Sequence, residues 1–527
     1  MHAMQAGWVL RALVAALSLA ALSIGIWTLE QARAGLTVQH EWVGTMPVTV
    51  FRPASIPAGQ AAPVVVVAHG FAGSQQLMQP LAQTLARNGY IAVTFDFPGH
   101  GRNAAPMTGG LADQDARLRT LLAALERVSA WARQLTAPGA GYALLGHSMA
   151  ADIVVRHAQA RPEVWASVAL SLFALSIAPE TPPDSPRNLL VIAGAWEPRA
   201  MQEEALRLIG KVAGASARER ITYGRFEDGT ARRAVFARGA GHIGVLYDVD
   251  TGAETLAWLD QALGAPPVTR PFIAAYGAAL GALLAGLLGL AWLLAQALPR
   301  VAARYAVPGA DFVRQHRQPW RWRSFSMLAV LPALLTPLIL WKLPGELLPI
   351  LLGDYLMLHF GVYGLLTAAL LWWREGPGLT PIRGGAFVSA TLLAAAFGLL
   401  AVGIPVDRYL FNLMPVAERW PVILALTAGT LPWFLADEAL TRSPRAPRIA
   451  YFITKVGFLL SLVLAIALNP GRLFFLALIV PAILVLFVVF GLFSRWAFRR
   501  TGHPLATALT NAVVFAWFMG VTFPLAR

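Results

Sequence analysis

The stretch YALLGHSMA, residues 142–150, decides how this chain is read. A short apolar run leads into Gly146, His147, Ser148, Met149 and Ala150, and the ADIVVRHAQA that follows has helical spacing. Strand, sharp turn and helix form the context in which G-x-S-x-G makes a nucleophile elbow. Small residues beside the serine let it sit on a strained turn with its hydroxyl exposed. Ser148 is therefore the candidate nucleophile. The last position of the pattern holds Ala150 in place of glycine, still small enough for close packing.

Around this stretch the composition divides the chain. Of the 527 residues 57% are hydrophobic and 13% charged, against about 45–50% and about 25% in an ordinary soluble domain. The excess is local: residues 40–268 are globular in composition, and the long apolar runs lie at the N-terminus and after Pro271. The net charge of +14 does not indicate nucleic acid. The arginines are scattered, or sit beside apolar segments where cytoplasmic loops carry them. The absence of cysteine excludes disulfides, thiolate metal sites and cysteine nucleophiles.

Residues 8–29 form an apolar run long enough to span about 30 Å of hydrocarbon. Ala32, Arg33 and Ala34 resemble a signal cleavage site, but the run exceeds the usual signal-peptide core of about 7–15 residues. A retained anchor, or uncleaved signal, is expected over 1–37, followed by an exported domain over 38–268 and a membrane domain over 269–527. Within 38–268, TVQHEWV and VTVFRP read as an antiparallel pair, and APVVVVAHG as a buried parallel strand. Then come a helix over 76–88, a strand over 90–97, the loop PGHGRN and a longer helix over 113–135. The apolar face of that helix (Leu118, Leu121, Leu122, Leu125, Val128, Trp131 and Leu135) reads as core. After the elbow helix, VWASVALSLF, NLLVIAGA and RRAVFARG complete an α/β pattern, a mostly parallel sheet with helices on both faces.

With these pieces in order, residues 40–265 resemble the α/β-hydrolase superfamily, in its dienelactone-hydrolase and serine-aminopeptidase-like branches. Besides the elbow, the resemblance is carried by HGFAGS (69–74), FDFPGHGRN (95–103) and GAGHIG (239–244). A serine hydroxyl needs a base, and the base an orienting carboxylate. The family order implies His242 as base and, after NLLVIAGA, Glu197 as acid where relatives usually carry aspartate. Asp228, in the turn FEDGT, is the reserve acid. His69 and His147 read as structural members of the HG turn and the elbow. The resemblance also implies an oxyanion hole from the amides of Phe71 and Met149. The chemistry calls for no cofactor and no metal. Only about 15 residues separate the strand ending near 173 from the one starting at 188, too few for a large helical cap.

After Pro271 eight further apolar segments are long enough to span, over about 272–297, 325–341, 347–373, 384–404, 420–440, 449–468, 471–493 and 503–525. Arg300, Arg304, Arg314, Arg317, Arg321 and Arg323 share one connection, Arg374 and Arg383 another, Arg442, Arg445 and Arg448 a third, and Arg495, Arg499 and Arg500 a fourth. These are alternate loops. If they are cytoplasmic, the hydrolase-like domain lies outside, as an N-terminal anchor also requires. Asp354 shares a span with Tyr355, His359 and Tyr363, which repeat every four residues as one polar stripe. Such a stripe either hydrogen-bonds between helices or helps hold a substrate. Asp437 and Glu438 lie near a span end, where Glu438 can pair with Arg442. Pro332, Pro337, Pro432 and Pro481 are expected to kink their helices.

The expected protein is a serine hydrolase of the plasma (inner) membrane, its active site extracytoplasmic, acting on an ester, thioester or amide of a lipid or lipid-linked substrate. The alternative is a membrane transport or assembly protein with a hydrolase-like binding domain.

Overall fold

The computed structural model describes residues 2–57, 59–110, 113–172, 176–265, 269–303, 322–343, 347–375, 381–443 and 445–527. The loop expected to carry Arg304, Arg314, Arg317 and Arg321 lies outside them, as does Phe173 at the expected end of a strand.

The sheet has eight strands: β1 (Leu36–Val43), β2 (Met46–Pro53), β3 (Val64–Ala68), β4 (Ile91–Phe95), β5 (Tyr142–His147), β6 (Val164–Leu170), β7 (Leu189–Gly194) and β8 (Arg232–Ala237). Their order is β1-β2-β4-β3-β5-β6-β7-β8. β2 runs antiparallel to β1 and β4, and every other pairing is parallel. Period-two alternation sends the two sides of β3 into different cores. Val65 and Val67 pack under α2 (Gln79–Arg87) and α6 (Val249–Leu263). Val64, Val66 and Ala68 pack under α3 (Gln114–Ala132) and α4 (Met149–Gln159). α5 (Arg199–Ala213) covers β7 and β8.

α3 starts where Asp113 accepts from the Ala116 amide at 2.9 Å, a side-chain cap for an otherwise orphaned N–H. Its expected apolar face is core: Leu121, Leu125 and Val128 are buried, and Leu118, Leu122, Trp131 and Leu135 pack against the same cluster. Each fully buried leucine contributes about 1.5–3 kcal/mol. The helix expected over 76–88 begins instead with a 3-10 turn, Gln75–Met78, and becomes α-helical at Gln79. Pro80 has no amide hydrogen to donate and belongs in a first helical turn.

Among the described residues nine helices are long and apolar enough to cross a membrane. They are α1 (His2–Arg33), α7 (Tyr276–Ala297), α8 (Trp322–Leu340), α9 (Gly353–Glu375), α10 (Gly384–Tyr409), α11 (Trp420–Thr441), α12 (Ala450–Leu468), α13 (Leu476–Thr501) and α14 (Leu505–Thr522). α13 begins later than the expected span because Pro470 opens a separate turn, Pro470–Leu473. Pro332, Pro337, Pro432 and Pro481 all lie inside helices. Small residues allow the close crossings that apolar helices use when no hydrophobic effect drives them together. A Cβ on Gly25 of α1 would lie 2.8 Å from the Ala279 carbonyl of α7, and one on Gly364 of α9 would lie 2.1 Å from the Trp433 amide of α11.

The helical region is fastened to the hydrolase-like sheet. The segment Pro524–Arg527 forms a strap in which Leu525 exchanges hydrogen bonds with Gly99 and Met107, and Ala526 donates to Pro349 of the bundle. A Cβ on Gly99 would lie 2.2 Å from the Leu525 carbonyl oxygen, so only glycine fits there. Arg419, buried at the head of α11, donates to the carbonyls of Gly520, Phe523 and Gly99. Arg102 pairs with Asp407 at 2.6 Å.

Candidate active site

The site is built at the carboxyl ends of the parallel strands. Leaving β5, the chain turns at Ser148 with φ 55° and ψ −116° and enters α4 at once. This is a strained backbone for a residue with a side chain. The turn closes only because its neighbours are small. A Cβ on Gly146 would lie 2.4 Å from the Ala150 carbonyl oxygen. Ala150 itself is fully buried, so alanine serves where the pattern has glycine.

The Ser148 hydroxyl donates to His242 Nε2 at 2.9 Å. His242 Nδ1–H donates to Glu197 Oε1 at 2.6 Å, which fixes the tautomer that leaves Nε2 free to accept. The second Glu197 oxygen accepts from the Ser171 hydroxyl at 2.9 Å and the Gly194 amide at 2.7 Å. Burial pushes the Glu197 carboxyl up, and the donors His242, Gly194 and Ser171 outweigh it, holding the group below the usual carboxylate value. Sequence reasoning missed Ser171, which ends β6 beside β7 with φ 54°. Its place at the carboxyl end of a parallel strand is the signal that could have found it. Asp228 stands apart, in an exposed turn with its carboxylate on Thr230.

The expected oxyanion donors flank the serine from two sides. Met149 opens α4, where no preceding turn supplies a carbonyl to its N–H. Phe71 lies in a turn closed by Gly73 N–H on the Gly70 carbonyl. That turn touches the elbow: a Cβ on Gly70 would meet Ser148 Cβ at 3.0 Å. The left-handed residue in it is Ala72, φ 55°, between the two glycines.

His69 and His147 have structural partners. His69 Nδ1–H donates to the Gly70 carbonyl and Nε2 accepts from the Phe97 amide. His147 Nε2–H donates to the His242 carbonyl at 2.8 Å and so fixes the loop that carries His242. Burial lowers both, His147 to about 3, so both rings stay neutral at pH 7.

The polar stripe of α9 lies inside the bundle. His359 meets Ser461 of α12 at 3.1 Å, and Tyr363 donates to the Ala329 carbonyl of α8. Asp354 accepts from the amides of Leu347 and Tyr355. These are helix-to-helix and capping bonds. Glu438 pairs with Arg442 at 2.9 Å, as the sequence suggests, while Asp437 pairs with Lys455 of α12.

A mostly parallel sheet with an antiparallel second strand, a serine on a strand-to-helix elbow and loops converging on it define the α/β-hydrolase fold, here joined to a bundle of apolar helices. Residues 59–214, under a third of the chain, match the family model of serine aminopeptidase, S33. Among solved structures the chain is similar to a protein described as a dienelactone hydrolase from Klebsiella pneumoniae, with 15% identity over 44% of this chain and 99% of that one, and a TM-score of 0.33. It is also similar to a CIB-like hydrolase from Thermoplasma acidophilum, at 18% identity over 43% and 99% of the two chains and a TM-score of 0.32. A membrane phospholipase A, described as a bacterial virulence factor, matches at 16% identity over 50% and 100%, with a TM-score of 0.32. No curated protein matches the chain.

Proposed function

We propose that this protein is a multi-pass membrane serine hydrolase. Its Ser148 attacks the carbonyl carbon of an ester, thioester or amide in a lipid or lipid-linked substrate, on the extracytoplasmic side. The observation that carries this reading is the hydrogen-bonded chain from Ser148 through His242 to Glu197. In the reaction His242 Nε2 takes the serine proton as Oγ bonds the carbonyl carbon. The Phe71 and Met149 amides stabilise the oxyanion, and His242 then protonates the leaving group. Water releases the acyl group by the same route reversed.

A fluorophosphonate probe is expected to label the full-length protein and not Ser148→Ala. His242→Ala should lower turnover of a short p-nitrophenyl ester by about 10⁴-fold or more, since triad members act as a unit. Retention of a tenth of the rate in either variant would defeat the assignment.

The sidedness is supported by the arrangement of helix ends. Those meeting the hydrolase alternate with those carrying Arg300, Arg374, Arg383, Arg442, Arg448, Arg499 and Arg500. A cysteine placed at Asp184 should react with an impermeant maleimide in intact cells, and one at Arg448 should react only after the membrane is opened. The opposite labelling would invert the topology.

The second reading, a transport protein with a hydrolase-like domain, draws on the buried Asp437–Lys455 pair between α11 and α12. It would be favoured if Ser148→Ala restored the full phenotype of a deletion strain.

A further inference from the structure

A shallow open cleft lies between the hydrolase-side ends of α8, α9 and α12. Its floor is apolar and buried, formed by Pro337, Leu340 and Leu473. Its rim carries Trp341 and Leu343, each nearly half exposed. At one end stand two polar side chains, Arg472 and Asn469.

Cations along the junction of hydrolase and bundle are satisfied by protein groups. Arg408 pairs with Glu30, Arg102 with Asp407, and Arg419 with three carbonyls. Arg472 makes neither an ion pair nor a side-chain hydrogen bond among the described residues, and Asn469 does not cap the turn that follows it. Asp354 lies close enough to feel the Arg472 charge but spends its oxygens on the amides of Leu347 and Tyr355. Lys342 stands beside Trp341 at the opposite lip, its ammonium 5.4 Å from the indole centroid.

An apolar trough ending in an uncommitted guanidinium has the polarity of an anionic lipid. Guanidinium forks match phosphate oxygens in geometry as well as charge. The segment that carries Arg472 also touches the hydrolase sheet's loops. One helical turn beyond Arg472, Phe475 packs on Phe71 with ring centroids 5.4 Å apart, and Phe71 carries one of the oxyanion amides. Of the α9 stripe only Tyr355 reaches the cleft; His359 and Tyr363 do not line it.

We propose that this cleft binds the substrate lipid itself: a glycerophospholipid with an anionic head group, its phosphate on Arg472 and Asn469 and its acyl chain against Pro337, Leu340 and Trp341. The inference rests on the hydrolase reading for its purpose but not for its test, because binding is measured without turnover.

Full-length Ser148→Ala, purified in detergent, would be incubated with phosphatidylglycerol or phosphatidylcholine, and the retained lipid counted by native mass spectrometry. Phosphatidylglycerol should be retained preferentially. Arg472→Gln should weaken that retention by about tenfold, the effect of losing one charge-assisted contact. Arg472→Lys should restore part of it, and phosphatidylcholine retention should not change. Glycerol phosphate should compete only weakly, because the trough contributes through the acyl chain. Unchanged phosphatidylglycerol retention in Arg472→Gln, or an equal loss of both lipids, would overturn the site. Competition by glycerol phosphate as effective as by the lipid would overturn the lipid as occupant. Absence of any esterase activity in the unmodified protein would count against the hydrolase reading and leave this binding result standing.

Discussion

Glu197 reaches His242 through one more methylene than aspartate has, and its other oxygen is held by Ser171 and Gly194. The length of this side chain is matched to the place where β7 ends. Shortening it moves the carboxylate away from Nδ1, and misplacement by about 1 Å costs about 10²-fold in rate. Glu197→Asp should therefore lose about 10²-fold in kcat on a p-nitrophenyl ester. Glu197→Gln, which keeps the shape but presents the wrong partner to the imidazole, should lose about 10⁴-fold. Asp228→Asn should stay within about twofold, since surface changes away from the site act weakly. A larger effect at Asp228 than at Glu197 would reassign the acid. Ser148, His242 and Glu197 stand out as candidates in the sequence because each follows a strand in a known order, and the structure brings their side chains together. Ser171 was not, since its role comes from the lateral neighbour of its strand, and lateral order is not written in local pattern.

At the scale of elements, the number of apolar helices was legible and their partners were not. A run of about 20 apolar residues announces itself, but which polar groups meet inside the bundle depends on how helices rotate against one another. Glu438 and Arg442, four residues apart on α11, were readable as a pair because one turn joins them. Asp437 meets Lys455 from the next helix, with Tyr451 and Trp433 packed against the ammonium, and no local pattern foretells that. A buried pair stabilises little against an apolar substitute, yet breaking it leaves a charge with no partner. Lys455→Met should thus lower stability by about 3–5 kcal/mol, seen as a fall in the thermal midpoint of the detergent-solubilised protein. Adding Asp437→Asn should recover much of the loss. If the double variant were no more stable than Lys455→Met alone, the pair would have a role beyond mutual neutralisation.

Across the whole molecule, the division into residues 38–268 and 269–527 suggested by composition is crossed by the hydrogen bonds. The strap Pro524–Arg527 and the Arg419 guanidinium both close on Gly99. Gly99 belongs to the loop after β4, where His100 lies 5.2 Å from His69, ring to ring, and Asp96 accepts from the Gln75 amide. His69 and Gln75 bracket the turn of Phe71, so the bundle reaches this expected oxyanion donor through two packed loops. The cores merge as well: Phe71 and Ala72 pack against the bundle's main cluster, and Leu351 and Ala526 enter the hydrolase core. The fastenings on Gly99 do not show in the sequence, because Gly99 stands 320 positions from Arg419 and 426 from Leu525. Truncating Arg419 to methionine would take a donor from three carbonyls, of which Gly99 keeps the Leu525 amide, and each carbonyl left unpaired costs about 1–3 kcal/mol. The Gly99 loop would then lose one of its two fastenings while Ser148, His242 and Glu197 keep their own bonds. Arg419→Met should therefore still react with a fluorophosphonate, at a rate reduced by about 10²-fold, with kcat falling more than KM rises, because a displaced oxyanion donor acts in the transition state. Residues 38–268 expressed alone lack both fastenings and should show the same loss even on a small soluble ester. Full activity of that fragment on such an ester would show that the bundle contributes nothing to the catalytic geometry, and would confine its role to presenting the substrate.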